Sequence, residues 1–146
     1  MSDSHVLDTS ALLAHCREEA GFEIVERLLE QTAVGVFVSA ITWLEFQLRL
    51  RELIPKEKDR REVLAIYDEL LTESLPVTRD VAQAALELRL QVLQRIPNGD
   101  ALIAATAKLI NATLVHRDPH LATIPVKLVK QIVLPSKLPP DQSRKV

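Results

Sequence analysis

His5-Val6-Leu7-Asp8-Thr9-Ser10-Ala11-Leu12-Leu13 decides the fold class. A short apolar run ends on an acid and passes, from Ser10, into a helical pattern. The same grammar returns late in the chain, where Ala112-Thr113-Leu114-Val115 runs into His116-Arg117-Asp118. Between them, Gly35-Val36-Phe37-Val38 reads as a second strand. Short β-branched runs separated by longer helical patterns are the signature of a parallel sheet with helical crossovers. In open α/β sheets ligands bind outside the carboxyl ends of the strands, so Asp8 and Asp118 are both delivered to the functional edge.

Working outward, Phe22, Val25, Leu28 and Leu29 share a face of a helix that runs to about Gln31. Ser39 is an N-cap for a helix over Ala40–Leu53, which Pro55 terminates. A further helix covers Lys56 to Glu73, and Leu75-Pro76-Val77 reads as a short edge strand. Thr78 caps a long helix to Gln94 with two apolar stripes, Val81/Ala84/Ala85/Leu88/Val92 and Leu86/Leu90/Leu93. The second stripe is a candidate partner surface, as are the helices near Phe22 and Trp43. After the turn Pro97-Asn98-Gly99, Asp100 opens a helix over Ala101–Ile110. Val126–Val129, with a continuation to Val133, reads as the last strand. The expected order is β-α-α-β-α-α-β-α-α-β-(α)-β, the last helix optional, an α/β, Rossmann-like parallel sheet of four to five strands flanked by helices. It forms one domain over residues 1–135, followed by a polar tail over 136–146.

Composition bounds the rest. The chain has 146 residues, 47% hydrophobic and 26% charged, which is a globular balance. One cysteine, Cys16, excludes an internal disulfide and a Cys-rich zinc site and suits a reducing cytoplasm. No run approaches the roughly 18 apolar residues of a membrane span, and the opening Met-Ser-Asp-Ser lacks the features of a signal peptide. The expectation is a soluble, cytoplasmic protein. The net charge of −2 does not exclude nucleic acid. If four acids are committed to a metal, the remainder is outnumbered by the 18 Lys and Arg.

Each candidate acid has a plainer reading. Asp8 and Asp118 can cap the helices that follow them, and Asp100 can serve as a cap or dipole partner. Glu45 shares a helical face with Ile41 and Leu48, so it needs either a cation or a partner such as Arg49. Held jointly, these oxygens suit Mg2+, with Mn2+ as a substitute. His5, His15, His116 and His120 show no metal-ligand spacing.

In this setting the chain resembles the PIN-domain ribonucleases, and within them the VapC-type toxins of toxin-antitoxin pairs. The resemblance is carried by Val6–Leu13, Trp43-Leu44-Glu45-Phe46, Gly99–Ala107 and Thr113–Asp118, in the family's order, across about residues 5 to 121. It implies that Asp8, Glu45, Asp100 and Asp118 form the acidic metal cluster, and that Ser10 holds a ligand or water. It implies Mg2+-dependent hydrolysis of RNA leaving 3'-hydroxyl and 5'-phosphate ends, a cognate antitoxin and a homodimer. His116 departs from the Thr or Ser common at its position, and Pro119-His120-Leu121 replaces a frequent terminal aromatic.

For RNA contact the candidate is the run Arg49, Arg51, Lys56, Lys58, Arg60, Arg61, although interspersed Glu52, Glu57, Asp59 and Glu62 equally describe a solvated face. Aromatic residues make up 3% of the chain, too few for base stacking to dominate recognition. An Asp-x-Asp phosphotransfer hydrolase would need an acid where Ser10 stands. A receiver domain would need an acceptor acid after a central strand, but Asp68 and Asp80 fall on expected helices. The remaining alternative is an inactive PIN-like scaffold that binds RNA or protein.

Overall fold

The computed structural model describes residues 3–136. Strands β1 (Ser4–Leu7), β2 (Gly35–Ser39), β3 (Glu73–Leu75), β4 (Thr113–His116) and β5 (Gln131–Val133) pair in parallel in the order β3-β2-β1-β4-β5. The connecting helices are α1 (Thr9–Cys16), α2 (Phe22–Glu30), α3 (Ala40–Leu53), α4 (Glu57–Leu70), α5 (Arg79–Gln91), α6 (Asn98–Leu109) and α7 (Pro119–Ala122). This element order is the one expected from the sequence.

Successive side chains of a strand point to opposite faces, and a parallel sheet is covered on both. Val6 and Leu114 accordingly enter one core with Leu88, Ile103 and Ala104, beneath α5 and α6. Their neighbours Leu7 and Val115 enter the other, with Val38, Leu12, Phe46 and Tyr67, beneath α1, α3 and α4. Each fully buried Leu or Phe of this kind contributes about 1.5–3 kcal/mol. The register sets Leu7 opposite Val38 on one side and Val115 on the other, so β1, β2 and β4 end at one edge. From β1 the chain builds outward to β2 and β3, then returns to add β4 and β5 on the other flank. The crevice between β1 and β4 is therefore a topological switch point, where ligands of such sheets bind.

Several boundaries differ from the sequence reading. Val126–Val129 is not a strand: the amides of Leu128 and Val129 bond back to the Pro125 carbonyl in a turn, and Val129 is buried as a plug against the core. Only the continuation, Gln131–Val133, joins the ladder. The edge strand is Glu73–Leu75, before Pro76 rather than across it, because proline cannot donate to a ladder. Leu93 lies beyond the end of α5 at Gln91, so the second stripe is shorter than expected; Leu86 and Leu90 remain exposed. Ser39 and Thr78 do cap α3 and α5, through the amides of Ile41 and Val81. Beyond Ser136 the expected tail lies outside the described residues.

Gly21 precedes α2 at φ +94°, in the left-handed region that side chains disfavour, and an added Cβ would stand 3.0 Å from the Leu134 Cβ. We expect Gly21→Ala to cost about 1–2 kcal/mol. For a chain of this size that lowers Tm by several degrees, measurable by thermal circular dichroism. An unchanged Tm would contradict the conformational argument.

Candidate metal centre

The site is assembled from the carboxyl edge upward. Asp8 follows β1 immediately; its amide extends the sheet by donating to the Val115 carbonyl at 2.9 Å. Its side chain caps α1, accepting from the Ser10 amide at 3.1 Å and the Ser10 hydroxyl at 2.6 Å. The capping role is thus real, but it leaves a carboxylate only 2% exposed with no cation bonded to it among the described residues. Ser10 also accepts from the Arg117 amide at 3.0 Å, stitching the β1 and β4 ends together.

Glu45 comes from α3. Its expected alternative partner, Arg49, instead pairs with Glu52. The Thr9 hydroxyl donates to Glu45 Oε1 at 2.5 Å, a contact the sequence reading did not anticipate. Leu48, on the same helical face, is exposed, so that face forms a cleft wall rather than core. Asp100 does not cap α6. Pro97 precedes the helix and Asn98-Gly99 are already helical, which places Asp100 within the first turn. Gly99, just before Asp100, faces α3: a Cβ there would lie 3.7 Å from Glu45 Oε2, in ordinary contact with it. Asp118 caps the short α7 through the His120 amide at 2.7 Å.

All four acids line one open cleft of about 370 Å³, together with Thr9, Ser10, Leu13, Leu48, Arg49 and Glu52. Of the basic run considered for RNA, Arg49 alone reaches it among the described residues. Arg61 pairs with Glu57, and Arg60 donates to the carbonyls of Ile54 and Pro55 at the end of α3. His116 is fully buried with both ring nitrogens bonded, at Gln131 and at the Asp118 amide, so it does not stand in for the family's hydroxyl at the cleft.

The electrostatics follow from the grouping. Burial pushes the Asp8 carboxyl above the usual range; the Ser10 hydrogen bonds oppose this and the charge of Asp118 adds to it. Asp100 is pushed up to about 7 by burial first, then by the charges of Asp118, Asp8 and Glu45, with His120 pulling the other way. The four carboxylates therefore share one field. Among the described residues no three Asp, Glu, His or Cys side chains already stand close enough to cage an ion. What fits a divalent cation is the donor chemistry: hard oxygens, mutual repulsion and a cleft open to water. Asp8, Glu45, Asp100 and Asp118 are the residues that would hold it.

The PIN domain family model matches residues 5–127. The chain belongs to the PIN domain family. Its fold recurs in solved structures. A chain of the VapBC2 complex of Rickettsia felis bound to a promoter DNA fragment superposes with a TM-score of 0.73 at 21% identity, covering 90% of this chain and 99% of that one. A chain of the DNA-bound VapBC of Salmonella typhimurium gives 0.73 at 17%, with 90% and 98% coverage. One from VapBC-5 of Mycobacterium tuberculosis gives 0.61 at 26%, with 89% and 98% coverage. No curated protein sequence matches the chain at a significant level. The resemblance read from the sequence thus holds for family and fold. The PIN scaffold also explains why Asp8 and Asp118, so distant in sequence, meet. Among the described residues no helix is long and apolar enough to cross a membrane.

Proposed function

We propose that this PIN-domain protein is a Mg2+-dependent endoribonuclease, the toxin of a toxin-antitoxin pair acting in the cytoplasm. The observation that carries the reading is the convergence of Asp8, Glu45, Asp100 and Asp118 on one cleft, where the other three raise the proton affinity of Asp100. Such a cluster is repulsive alone and is relieved by a captured divalent ion. When bound, Mg2+, or Mn2+ in its place, neutralises charge on a scissile phosphate and makes water a stronger nucleophile. The chain's own part is to hold that set. Ser10 fixes Asp8 and ties it to the β4 end, Thr9 fixes Glu45, and α7 fixes Asp118.

The name of the solved relatives, VapBC, supports a protein antitoxin as partner. The exposed Leu44 and Leu48 on α3, of which Leu48 lines the cleft, and Leu86 and Leu90 on α5, are the apolar surfaces offered to that partner and to a second copy of the chain. Low aromatic content favours recognition of RNA by shape.

The test is purified protein incubated with total RNA in Mg2+ and in excess chelator. Cleavage only with the metal, leaving 3'-hydroxyl ends, is expected. Cleavage unaffected by chelator overturns the metal mechanism; no cleavage, together with no Mg2+ or Mn2+ binding, leaves an inactive binding scaffold.

A further inference from the structure

We propose that His116, itself held by Gln131, is a positioning residue for Asp118; the proposal rests on the nuclease reading of the cleft. His116 ends β4 and is fully buried. Its Nε2 lies 2.8 Å from Gln131 Oε1, and its Nδ1 accepts from the Asp118 amide at 3.0 Å. The direction of the first bond follows from the far side of Gln131, whose Nε2 donates to the Ile124 carbonyl at 2.7 Å. The carboxamide nitrogen being spent there, Gln131 Oε1 can only accept. His116 Nε2 therefore carries the proton and Nδ1 presents a lone pair, the tautomer that the Asp118 amide requires.

The relay runs Asp118 N–H to His116, His116 N–H to Gln131, Gln131 N–H to Ile124. It reaches from β5 and the turn before it to the cleft. The backbone around it is fixed on both sides: the Leu134 amide donates to the His116 carbonyl at 2.7 Å, and the Arg117 amide donates to Ser10 Oγ. The ring is thus the element that sets the Asp118 amide, and with it the first turn of α7 on which the carboxylate is held. A threonine or serine at position 116 has no second nitrogen with which to reach Gln131. The relay is a device of this chain's own residues, and it anchors one metal-facing acid to the last strand of the sheet.

Two isosteres separate the halves of the ring. In His116→Asn the side-chain oxygen replaces Nδ1 as acceptor, whereas in His116→Gln the amide nitrogen replaces Nε2 as donor and the acceptor is lost. We expect both to fold by circular dichroism. The Mg2+ concentration for half-maximal cleavage, and Mn2+ affinity measured by electron paramagnetic resonance, should weaken about 10–100-fold in the Gln variant. They should stay within a few-fold of wild type in the Asn variant. Equal behaviour of the two, or a loss of rate at unchanged metal requirement, overturns the relay. Should both variants unfold, Gln131→Leu, at a partly exposed position, removes the acceptor that keeps the ring proton on Nε2 and so lets Nδ1 take it up; unlike the Asn variant, whose oxygen always accepts, it is expected to shift the metal requirement in the same direction as the Gln variant, and no shift overturns the relay. Side-chain 15N shifts of wild type must show His116 protonated at Nε2; a proton on Nδ1 overturns the proposal whether or not RNA is cleaved. Failure of the wild type to cleave RNA would overturn only the nuclease reading, because the tautomer and the Mn2+ affinities are read without substrate.

Discussion

Asp8→Asn is expected to abolish Mg2+-dependent RNA cleavage while leaving the protein folded. Asparagine preserves the shape, and its carbonyl oxygen can still accept from the Ser10 amide and hydroxyl that hold Asp8. What it removes is the charge. Metal-assisted stabilisation of phosphate charge amounts to several kcal/mol. At about 1.4 kcal/mol per decade, the loss should be about 10³-fold or more in rate. The thermal midpoint of the metal-free protein should move the other way or not at all, since a carboxylate only 2% exposed is replaced by a neutral amide. The two readings together, a gel assay for cleavage and circular dichroism for Tm, separate chemistry from folding. Retained cleavage would remove Asp8 from the site; lost cleavage with a Tm lower by many degrees would assign it to structure alone.

The second large effect is on stability against pH in the absence of divalent metal. Asp100 rises from an ordinary 3.8 to about 7 in the folded protein, so the folded state binds more protons than the unfolded one between those values. Stability from this group is then fully present below about pH 4 and is lost as pH climbs through about 7. The full shift corresponds to about 4 kcal/mol, and discounting for the solvent that reaches this carboxyl leaves about 1–2 kcal/mol. Asp100→Asn, which cannot ionise, should gain on wild type by that amount between pH 5 and pH 8, read from urea midpoints in chelator. Saturating Mg2+ at pH 8 should restore the wild type and leave the variant less changed, since a ligand stabilises the state that binds it. A difference between the two proteins that does not vary with pH would mean that Asp100 feels neither burial nor its acidic neighbours.

Much of this architecture is legible in the residues, and the exceptions have physical causes. β1, β2 and β4 are buried on both faces, so each is written as a short apolar run with a punctuating polar residue at its end, Asp8, Ser39 and His116. Val126–Val129 looks similarly apolar but lacks a ladder partner, because Pro125 begins a turn, and Val129 alone of the four is buried; an apolar run does not by itself report pairing. Asn98-Gly99 reads as a turn, yet it is the first turn of α6. The acids were legible because each terminates or breaks an apolar pattern. Their supports were not. Thr9 holding Glu45 joins residues 36 apart, and Gln131 holding His116 joins residues 15 apart across two strands. Neither pair has a local signature, since each exists only once the sheet has brought the segments together. The sequence also offers Arg49 to Glu45 at helical spacing, but the side chain turns to Glu52 on the next turn.

The seam between Ser10 and Arg117 joins residues 107 apart, so the cleft is complete only when the fourth strand has slotted in beside the first. During translation that order is fixed by the direction of synthesis. A nascent polypeptide carries Asp8 and Glu45 out of the ribosome early, but it cannot close the acidic set until Asp118 and the strand behind it have emerged. On the nuclease reading proposed above, an unfinished chain therefore has no complete site with which to act.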